Sequence, residues 1–378
     1  MAAASTHPQE NDPGSVSFHE IERELSHQVQ AGLQSGEAPA LRARMSNLVI
    51  FCDCSERADS AAAVVPDIVV VHPARVVLLV GEPGPDTGAL TASVNAWCRR
   101  TGGLKICSEQ VTVRAQGASV DRLPYAVRSL LIGDLPTNLW WAAPQPASLA
   151  GPLLYELAEH AQQVIYDSCG WTEPARGVAA TAAWLAKFER GPGQGRWRVA
   201  SDLNWRRLKH WRRLLAQALD PAAAPGALEH VTEVLVEHGP HAVVQAWELA
   251  SWLALRLGWR VQTGRVQPGV ELTWQFAASH GPVTLRIRRL SDGPSDVRRL
   301  RIAWTQHGPA AALVLVAESD SRLAVLPEGF AAAPRTMIVQ PQPLAELVAR
   351  QLSDRDRDPV FRESMGVAEV LAQSVLGG

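Results

Sequence analysis

A chain of 378 residues is long enough for two domains of ordinary size, each with its own core. The composition, 47% hydrophobic and 20% charged residues, is typical of a soluble globular protein and excludes a mainly disordered or fibrous chain. The formal net charge of -2 gives no overall attraction to nucleic acid or to an anionic membrane, so any basic binding surface must be local.

No stretch reaches the roughly 20 uninterrupted apolar residues that a membrane helix needs, and the first residues lack the basic and apolar regions of a signal peptide. We therefore expect a cytosolic (cytoplasmic) protein with no membrane contact. Five cysteines, odd in number and without metal-type spacing, do not form a secreted disulfide framework. Any disulfide would be regulatory.

The chain begins with a small, polar segment, residues 1–17, which predicts a disordered tail before a helix over residues 18–33. Two apolar, β-branched runs over 47–52 and 74–80 predict strands, with a helix between them from residue 55 to 65. Gly102 and Gly103 then suit a tight hairpin turn. That turn would place Cys98 opposite Cys107.

Helices and strands alternate after this hairpin, which indicates a layered α/β domain. We predict helices over 120–131, 152–160 and 174–187, and strands at TNLWWAA and QQVIYD. Because consecutive side chains of a strand point to opposite faces, we expect one of Trp140 and Trp141 to face away from the core.

A basic helix separates this half from the next. GPGQG (191–195) predicts a loop, Asp202 is a good N-cap for a helix over 203–219, and prolines near 221–225 mark a linker. A strand, a strong helix, six further strands and a helical ending interrupted at DRDRDP follow. The predicted fold is an α/β N-terminal domain with a mixed sheet, linked through the basic helix to a sheet-rich α+β C-terminal domain. The predicted divisions are 1–44, 45–170, 171–224 and 225–378.

Motifs of catalysis and metal binding are missing from the sequence. Glycines at Gly81, Gly84 and Gly88 follow a strand where a phosphate loop could lie, but they match neither dinucleotide nor phosphate-loop spacing. An ordinary turn is the main interpretation, and a nucleotide-binding regulator is the alternative. The chain has no nucleophile elbow and no histidine pairs at zinc spacing, so we expect no catalytic residue, metal or cofactor.

The cysteines offer two candidate redox pairs. Cys52 and Cys54 lie two apart on a strand, where a direct bridge would need a local bend. Cys98 and Cys107 are better placed if the hairpin is right, and a cross-strand disulfide is easy to reduce. Buried free thiols remain the alternative for all four.

The segment DLNWRRLKHWRRLLAQAL, which contains the predicted helix 203–219, has an apolar stripe that includes Trp205 and basic residues on its other faces. Such a surface suits an acidic patch on a protein. Nucleic-acid binding through the arginines at 206–213 and 286–301 is a rival interpretation, but the rest of the chain lacks a binding platform for it. A merely solvated face is equally compatible with the pattern.

Several of these segments together resemble the OpcA family. They occur in the family's order: HPARVVLL (72–79), CSEQVTV (107–113), DLPTNLWW (134–141), DSCGW (167–171), DLNWRRLKHWR (202–212) and LASWLALRLGW (249–259). The resemblance runs from about residue 45 to at least residue 345. The content of 13 tryptophans looks most like cyanobacterial members.

The resemblance implies a non-catalytic protein needed for assembly or activation of the glucose-6-phosphate dehydrogenase oligomer in the oxidative pentose phosphate pathway. For cyanobacterial members it also implies a redox link to thioredoxin, with the cysteines undefined. The candidate redox residues, chosen from their positions in the sequence and not from the resemblance, are Cys98, Cys107, Cys52 and Cys54. The predicted partner-binding residues are Trp140, Trp141, Asp202, Asn204, Trp205, Arg206, Arg207, Lys209 and Arg213.

Overall fold

The computed structural model describes residues 18–34, 40–42, 44–85, 88–101, 104–190, 198–306 and 308–377. The predicted tail 1–17, the Gly102-Gly103 turn and the 191–195 loop lie outside the described residues. The described helices are α1 (Phe18–Gln34), α2 (Ser55–Val71), α3 (Leu123–Leu130), α4 (Pro152–Leu157), α5 (Pro174–Arg190), α6 (Leu203–Arg207), α7 (Lys209–Ala218), α8 (Val243–Arg256), α9 (Leu344–Ser353) and α10 (Pro359–Leu376).

The strands fall into two sheets. Those of the first are β1 (Ala40–Arg42), β2 (Ser46–Cys52), β3 (Ala74–Glu82), β4 (Thr91–Thr101), β5 (Leu104–Gln116), β6 (Thr137–Trp141), β7 (Ala161–Tyr166) and β8 (Val199–Asp202). Those of the second are β9 (Val231–His238), β10 (Arg260–Gln267), β11 (Glu271–Ala278), β12 (Gly281–Arg289), β13 (Val297–Trp304), β14 (Ala311–Ser319), β15 (Arg322–Glu328) and β16 (Arg335–Ile338).

The first sheet has the order β1-β5-β3-β2-β6-β7-β8, with β4 paired to β5. Its pairs are parallel except for the β4–β5 hairpin, which confirms the predicted mixed α/β sheet. All seven residues of β2 are buried, as expected for a central strand with helices on both faces. The predicted domain end at residue 170 falls too early for this sheet, because β8 pairs with β7.

The predicted hairpin register is confirmed. Thr101 is the cross-strand partner of Leu104, and Cys98 is the partner of Cys107. Each residue of β4 from 91 to 101 has a partner on β5, so the pairing is continuous along the hairpin.

The second sheet is largely antiparallel, with the order β10-β11-β12-β9-β13-β14-β15-β16. Strands β9 and β12 are parallel neighbours. Helix α8 follows β9 and returns the chain to the start of β10, which allows a parallel pair in this otherwise antiparallel sheet. The sequence analysis did not predict β15, which pairs with β14 and β16. Its Pro327 lies near the end of the strand, beside Leu313, where a missing backbone N–H is tolerated. The sheet-rich α+β interpretation of this half is confirmed.

The two halves share their cores. Helix α10 packs on α5 of the first half and on α8 of the second, while α9 returns to pack on α2. The predicted helix 203–219 is divided into α6 and α7 at Leu208. This break lies at the junction of the halves, where the predicted partner-binding residues are concentrated.

Candidate functional site at the domain junction

Asp202, the last residue of β8, is the N-cap of helix α6, as the sequence predicted. The Asp202 carboxylate accepts a hydrogen bond of 2.8 Å from the backbone N–H of Asn204, which caps the helix. The same oxygen accepts from the N–H of Ser168 at 3.1 Å, and Asn204 donates to the Ser168 hydroxyl at 2.9 Å. The segment after β7 and the start of α6 are therefore held together by buried polar groups.

Arg207 lies on the same helix and faces inward. Its guanidinium donates two hydrogen bonds of 2.7 Å to Asp167, and a third of 2.7 Å to the side chain of Asn204. Burial acts to lower the pKa of Arg207, but the Asp167 carboxylate more than offsets this, so the pKa lies above its ordinary value. Arg207 is thus a structural cation rather than a surface charge.

Two carboxyl groups are buried side by side beneath α6. Burial raises the pKa of Asp202 to about 7, and the neighbouring Asp167 adds to the rise. Glu248, on α8, has a pKa well above its ordinary value, first because of burial and then because of Asp202. Burial in low dielectric disfavours the charged form of both groups. We conclude that this part of the junction binds a proton near neutral pH.

Arg212 and Trp205 connect α6 and α7 to the C-terminal helix. The Arg212 guanidinium lies 3.5 Å from the centroid of the Trp205 ring and donates to the Trp205 carbonyl at 2.8 Å. The indole N–H of Trp205 donates to Asp358 at 2.7 Å, at the start of α10. Burial lowers the pKa of Arg212 to about 10, although Glu248 and Asp358 act in the opposite direction.

The solvent-facing part of the predicted site is smaller than expected. Arg206 is bound by Gln351 at 2.8 Å and by Asp354 at 2.7 Å, so its side chain lies against α9 and the turn after it. Lys209 and Arg213 are exposed one helical turn apart on α7. Of the predicted residues in this segment, these two alone are fully available to a partner.

The expectation that one of Trp140 and Trp141 faces away from the core is wrong. Both are buried, at 2% and 1% exposure, because this sheet is covered on both faces. Trp141 stacks on Phe51 with ring centroids 4.5 Å apart. Trp140 lies in the opposite core, which contains residues of α2 and α9.

The structure separates the cysteines. Cys107 is disulfide-bonded, and its cross-strand partner in the hairpin is Cys98. Cys52 and Cys54 are free, as is Cys169. Burial, followed by Asp53, raises the pKa of Cys52 to about 12, so its thiol is a poor nucleophile at neutral pH. Cys54 is partly exposed and accepts a hydrogen bond of 3.3 Å from Arg57.

The nucleotide-loop alternative is not supported by the fold. The segment after Gly81 leads into strand β4 rather than into a helix, so it offers no helix N-terminus to a phosphate. The nearby helix N-terminus that could bind an anion is that of α2, and the Glu82 carboxylate already occupies it. Glu82 accepts hydrogen bonds from the N–H and hydroxyl of Ser55 at 2.8 and 2.6 Å.

The rival nucleic-acid surface is also weakened. The arginines of 286–301 that project from the second sheet alternate with glutamates and form ion pairs with them. They therefore give no basic patch. Within the described ranges, no cluster of three or more metal-binding side chains occurs. None of the described helices is long and apolar enough to cross a bilayer.

Comparison with known families gives the decisive observation. Residues 65–183 match the family described as the glucose-6-phosphate dehydrogenase subunit N-terminal domain (OpcA), and residues 198–365 match the corresponding C-terminal domain. The chain belongs to the OpcA family. The two OpcA domains meet at the junction built by Asp167, Asp202 and Arg207.

Curated OpcA relatives occur in cyanobacteria. The chain is 27% identical over 317 residues to a protein named OxPP cycle protein OpcA from Nostoc punctiforme, which covers 80% of this chain. It is 26% identical over 322 residues to the protein of the same name from Synechocystis, covering 81%. The chain spans 65% of the length of each of these relatives.

Solved structures with a related chain path include an oxidoreductase from Sinorhizobium meliloti, at 10% identity and a TM-score of 0.49, with 89% of this chain and 97% of that one covered. Another is glucose-6-phosphate dehydrogenase in complex with glucose-6-phosphate, at 9% identity and a TM-score of 0.46, with 90% and 92% covered. Similarity at this level carries no functional argument for an OpcA chain.

The sequence prediction missed three residues of the junction: Asp167, Arg212 and Glu248. Glu248 had a detectable signal, since it is a single acidic residue inside the apolar helix VVQAWELASWLALR, whose residues from Val244 to Ala254 are all buried. Asp167 directly follows β7, at the carboxyl end of a parallel strand where functional side chains gather.

Proposed function

We propose that this chain is a non-catalytic assembly factor and allosteric activator of glucose-6-phosphate dehydrogenase in the oxidative pentose phosphate pathway, acting in the cytosol. The observation that carries the proposal is the match of both OpcA domains, whose family descriptions name this dehydrogenase, in order along residues 65–183 and 198–365. The names of the cyanobacterial relatives, which refer to the same pathway, add support.

The proposed mechanism is a difference in affinity. The chain binds the active arrangement of the dehydrogenase oligomer more tightly than the inactive one, and the ratio of the two affinities sets the largest activation that binding can produce. No reacting group of this chain takes part in the chemistry.

The proposed contact surface is the exposed edge of α7, formed by Lys209 and Arg213. These two cations project from a helix segment that the hydrogen bonds of Trp205, Arg207 and Arg212 hold against the junction, so the backbone that carries them has a defined position. A fixed pair of cations suits an acidic patch on the dehydrogenase surface, and it speeds association at low salt. Asp202 and Asn204 contribute by capping α6.

The redox part of the proposal concerns the β4–β5 hairpin. Cys107 is disulfide-bonded and faces Cys98 across the ladder, and β5 also pairs with β3 and β1. Reduction by a dithiol protein of the thioredoxin type would break the disulfide of Cys107 at the β4–β5 hairpin of the first sheet. We propose that this change alters the activation of the dehydrogenase.

The test is a reconstitution with purified chain and the dehydrogenase from the same cell. We expect a stable complex by size-exclusion chromatography and a rise in dehydrogenase activity that saturates with added chain. The rise should differ between samples with and without a dithiol reductant. Absence of both complex and activation would refute the proposed function. Activation that is equal with and without reductant would refute only its redox part.

A further inference from the structure

The second sheet has one face packed on helices and one face turned to solvent. On β11, Trp274 points to the helices and donates from its indole N–H to the Leu371 carbonyl of α10 at 3.1 Å. Its neighbours Thr273 and Gln275 point the other way, since side chains alternate along a strand. We name this other side the open face. Its central residues are Glu271, Thr273, Gln275, Thr284, Arg286, Arg288, Glu233, Leu235, Glu237, Arg299 and Arg301.

One row across the open face alternates in charge. Glu271 is the cross-strand partner of Arg288, Arg288 of Glu237, and Glu237 of Arg299, which gives the sequence minus, plus, minus, plus over four neighbouring strands. Neighbours in the row are paired: Arg288 lies 3.0 Å from Glu271 and 3.8 Å from Glu237, and Arg299 lies 3.7 Å from Glu237.

The next row places an apolar residue in the middle. Thr273, Arg286, Leu235 and Arg301 are successive cross-strand partners, so two cations flank a leucine. Both cations are held by Glu233, from the row beyond. The four arginines of the open face are matched by its three glutamates together with Glu328, which also pairs with Arg299 and Arg301, and the charges are arranged in a regular pattern.

This pattern is complementary to itself. A second copy can be laid on the open face after a half-turn about a line that runs between β9 and β12, parallel to both. The half-turn exchanges β9 with β12 and β11 with β13 while preserving the rows. Glu271 then faces Arg299 of the second copy, and Arg288 faces its Glu237. In the next row, Arg286 faces Leu235, so no two cations oppose each other. Isologous contacts of this kind are the rule in two-fold dimers.

The open face is also accessible and large enough. Its arginine side chains at 286, 288, 299 and 301 are 31–42% exposed. The six adjacent strands β10, β11, β12, β9, β13 and β14 are spaced about 4.8 Å apart and are about eight residues long, so together they span roughly 800 Å². A standard interface buries about 800 Å² on each partner.

We propose that two copies of this chain form a two-fold dimer through the open face of the second sheet. A second copy is the partner that we assign to this face, because its own alternating row presents an opposite charge to each charge of the first. A different protein would need the same four charges at the same strand spacing in reversed order. The dehydrogenase contact proposed on α7 is separate, since it lies outside this sheet.

The first test measures the mass of the unmodified full chain by sedimentation equilibrium over a range of concentrations. We expect twice the 40.9 kDa of one chain, with dissociation favoured by high salt. A chain that stays monomeric up to the highest concentration overturns the proposal. A monomer whose open-face variants lose binding to the dehydrogenase overturns it as well, in favour of the dehydrogenase as occupant.

The second test uses two variants with complementary rows. Arg288→Glu with Arg299→Glu makes the alternating row wholly negative, and Glu237→Arg with Glu271→Arg makes it wholly positive. We expect each variant alone to dimerise at least tenfold more weakly than the unmodified chain, and the equimolar mixture to recover association. Variants that dimerise normally, or a mixture that remains monomeric while both variants keep their circular dichroism, overturn the proposal. Arg23→Glu with Arg176→Glu, on exposed residues of the first half, is the matched control.

Discussion

The carboxylate of Asp167 receives two hydrogen bonds of 2.7 Å from the guanidinium of Arg207, and this pair joins the end of β7 to helix α6. Two parallel bonds to a planar guanidinium fix both position and orientation. The pair therefore sets where α6 and α7 lie at the junction, and with them the exposed edge proposed to contact the dehydrogenase.

Removal of this pair should destabilise the protein. Arg207→Ala leaves Asp167 without its cation, and we expect the free energy of unfolding to fall by about 1.5–3 kcal/mol, the range for hydrogen bonds to charged groups. Urea unfolding measures the change. Arg176→Ala, which removes an exposed ion pair with Glu173, should cost under about 0.5 kcal/mol. Equal losses for the two variants would contradict the structural role of Arg207.

The buried carboxyl group of Asp202 should make stability depend on pH. Its pKa is about 7 in the folded protein and near 3.8 in the unfolded chain, so the folded state holds an extra proton between these values. The contribution of Asp202 to stability is therefore fully present below about pH 3.8 and is lost as pH rises through 7, by at most about 1.4 kcal/mol per pH unit for one proton.

Asp202→Asn should reduce the fall in stability between pH 4 and 7 while keeping the helix cap, because the asparagine oxygen still accepts from the N–H of Asn204. Glu248, whose pKa is also raised, keeps its own part of the fall. Urea unfolding at several pH values from 4 to 7 gives the comparison. The exposed Asp356→Asn variant should keep the slope of the unmodified chain. An Asp202→Asn variant with an unchanged slope would show that this carboxyl does not carry the proton.

The exposed edge of α7 should control affinity for the dehydrogenase. We expect Lys209→Glu with Arg213→Glu to weaken binding at least tenfold at low salt, and the difference to shrink as salt screens the charges. Isothermal titration calorimetry of the complex measures it. Arg23→Glu with Arg176→Glu changes the net charge equally and should bind normally. Unchanged binding by the α7 variant would remove this helix from the interface.

Trp141 should act on stability rather than on partner affinity. Trp141→Ala removes a ring stacked on Phe51 in a closed core, and we expect a loss of about 3–5 kcal/mol in the free energy of unfolding. Trp141→Phe keeps part of the stack and should cost less. If either folded variant loses dehydrogenase binding without losing stability, Trp141 reaches the partner after all.

The hairpin disulfide should account for any response to reductant. Cys107→Ser should abolish the difference in activation between oxidised and reduced samples, because the disulfide of Cys107 can no longer form. Cys169→Ser is the control, since burial raises the pKa of that free thiol to about 11 and leaves it unreactive. A redox response that persists in the Cys107→Ser variant would show that other cysteines carry it.

Local sequence patterns predicted most of the fold, including the register that opposes Cys98 and Cys107 and the cap at Asp202. They failed where contacts between residues far apart in the sequence determine whether a side chain is buried. The burial of both Trp140 and Trp141 depends on α9, which lies some 200 residues later and covers the second face of the sheet. The inward direction of Arg207 depends on Asp167, which the sequence places 40 residues away.

Helices α9 and α10 have a consequence for synthesis. Because α9 completes the packing on α2, and α10 fits between α5 and α8, the early half cannot close its core until these late residues have left the ribosome. Nascent chains halted before α9 should therefore expose apolar surface to chaperones and proteases, even though every strand of both sheets has already been made.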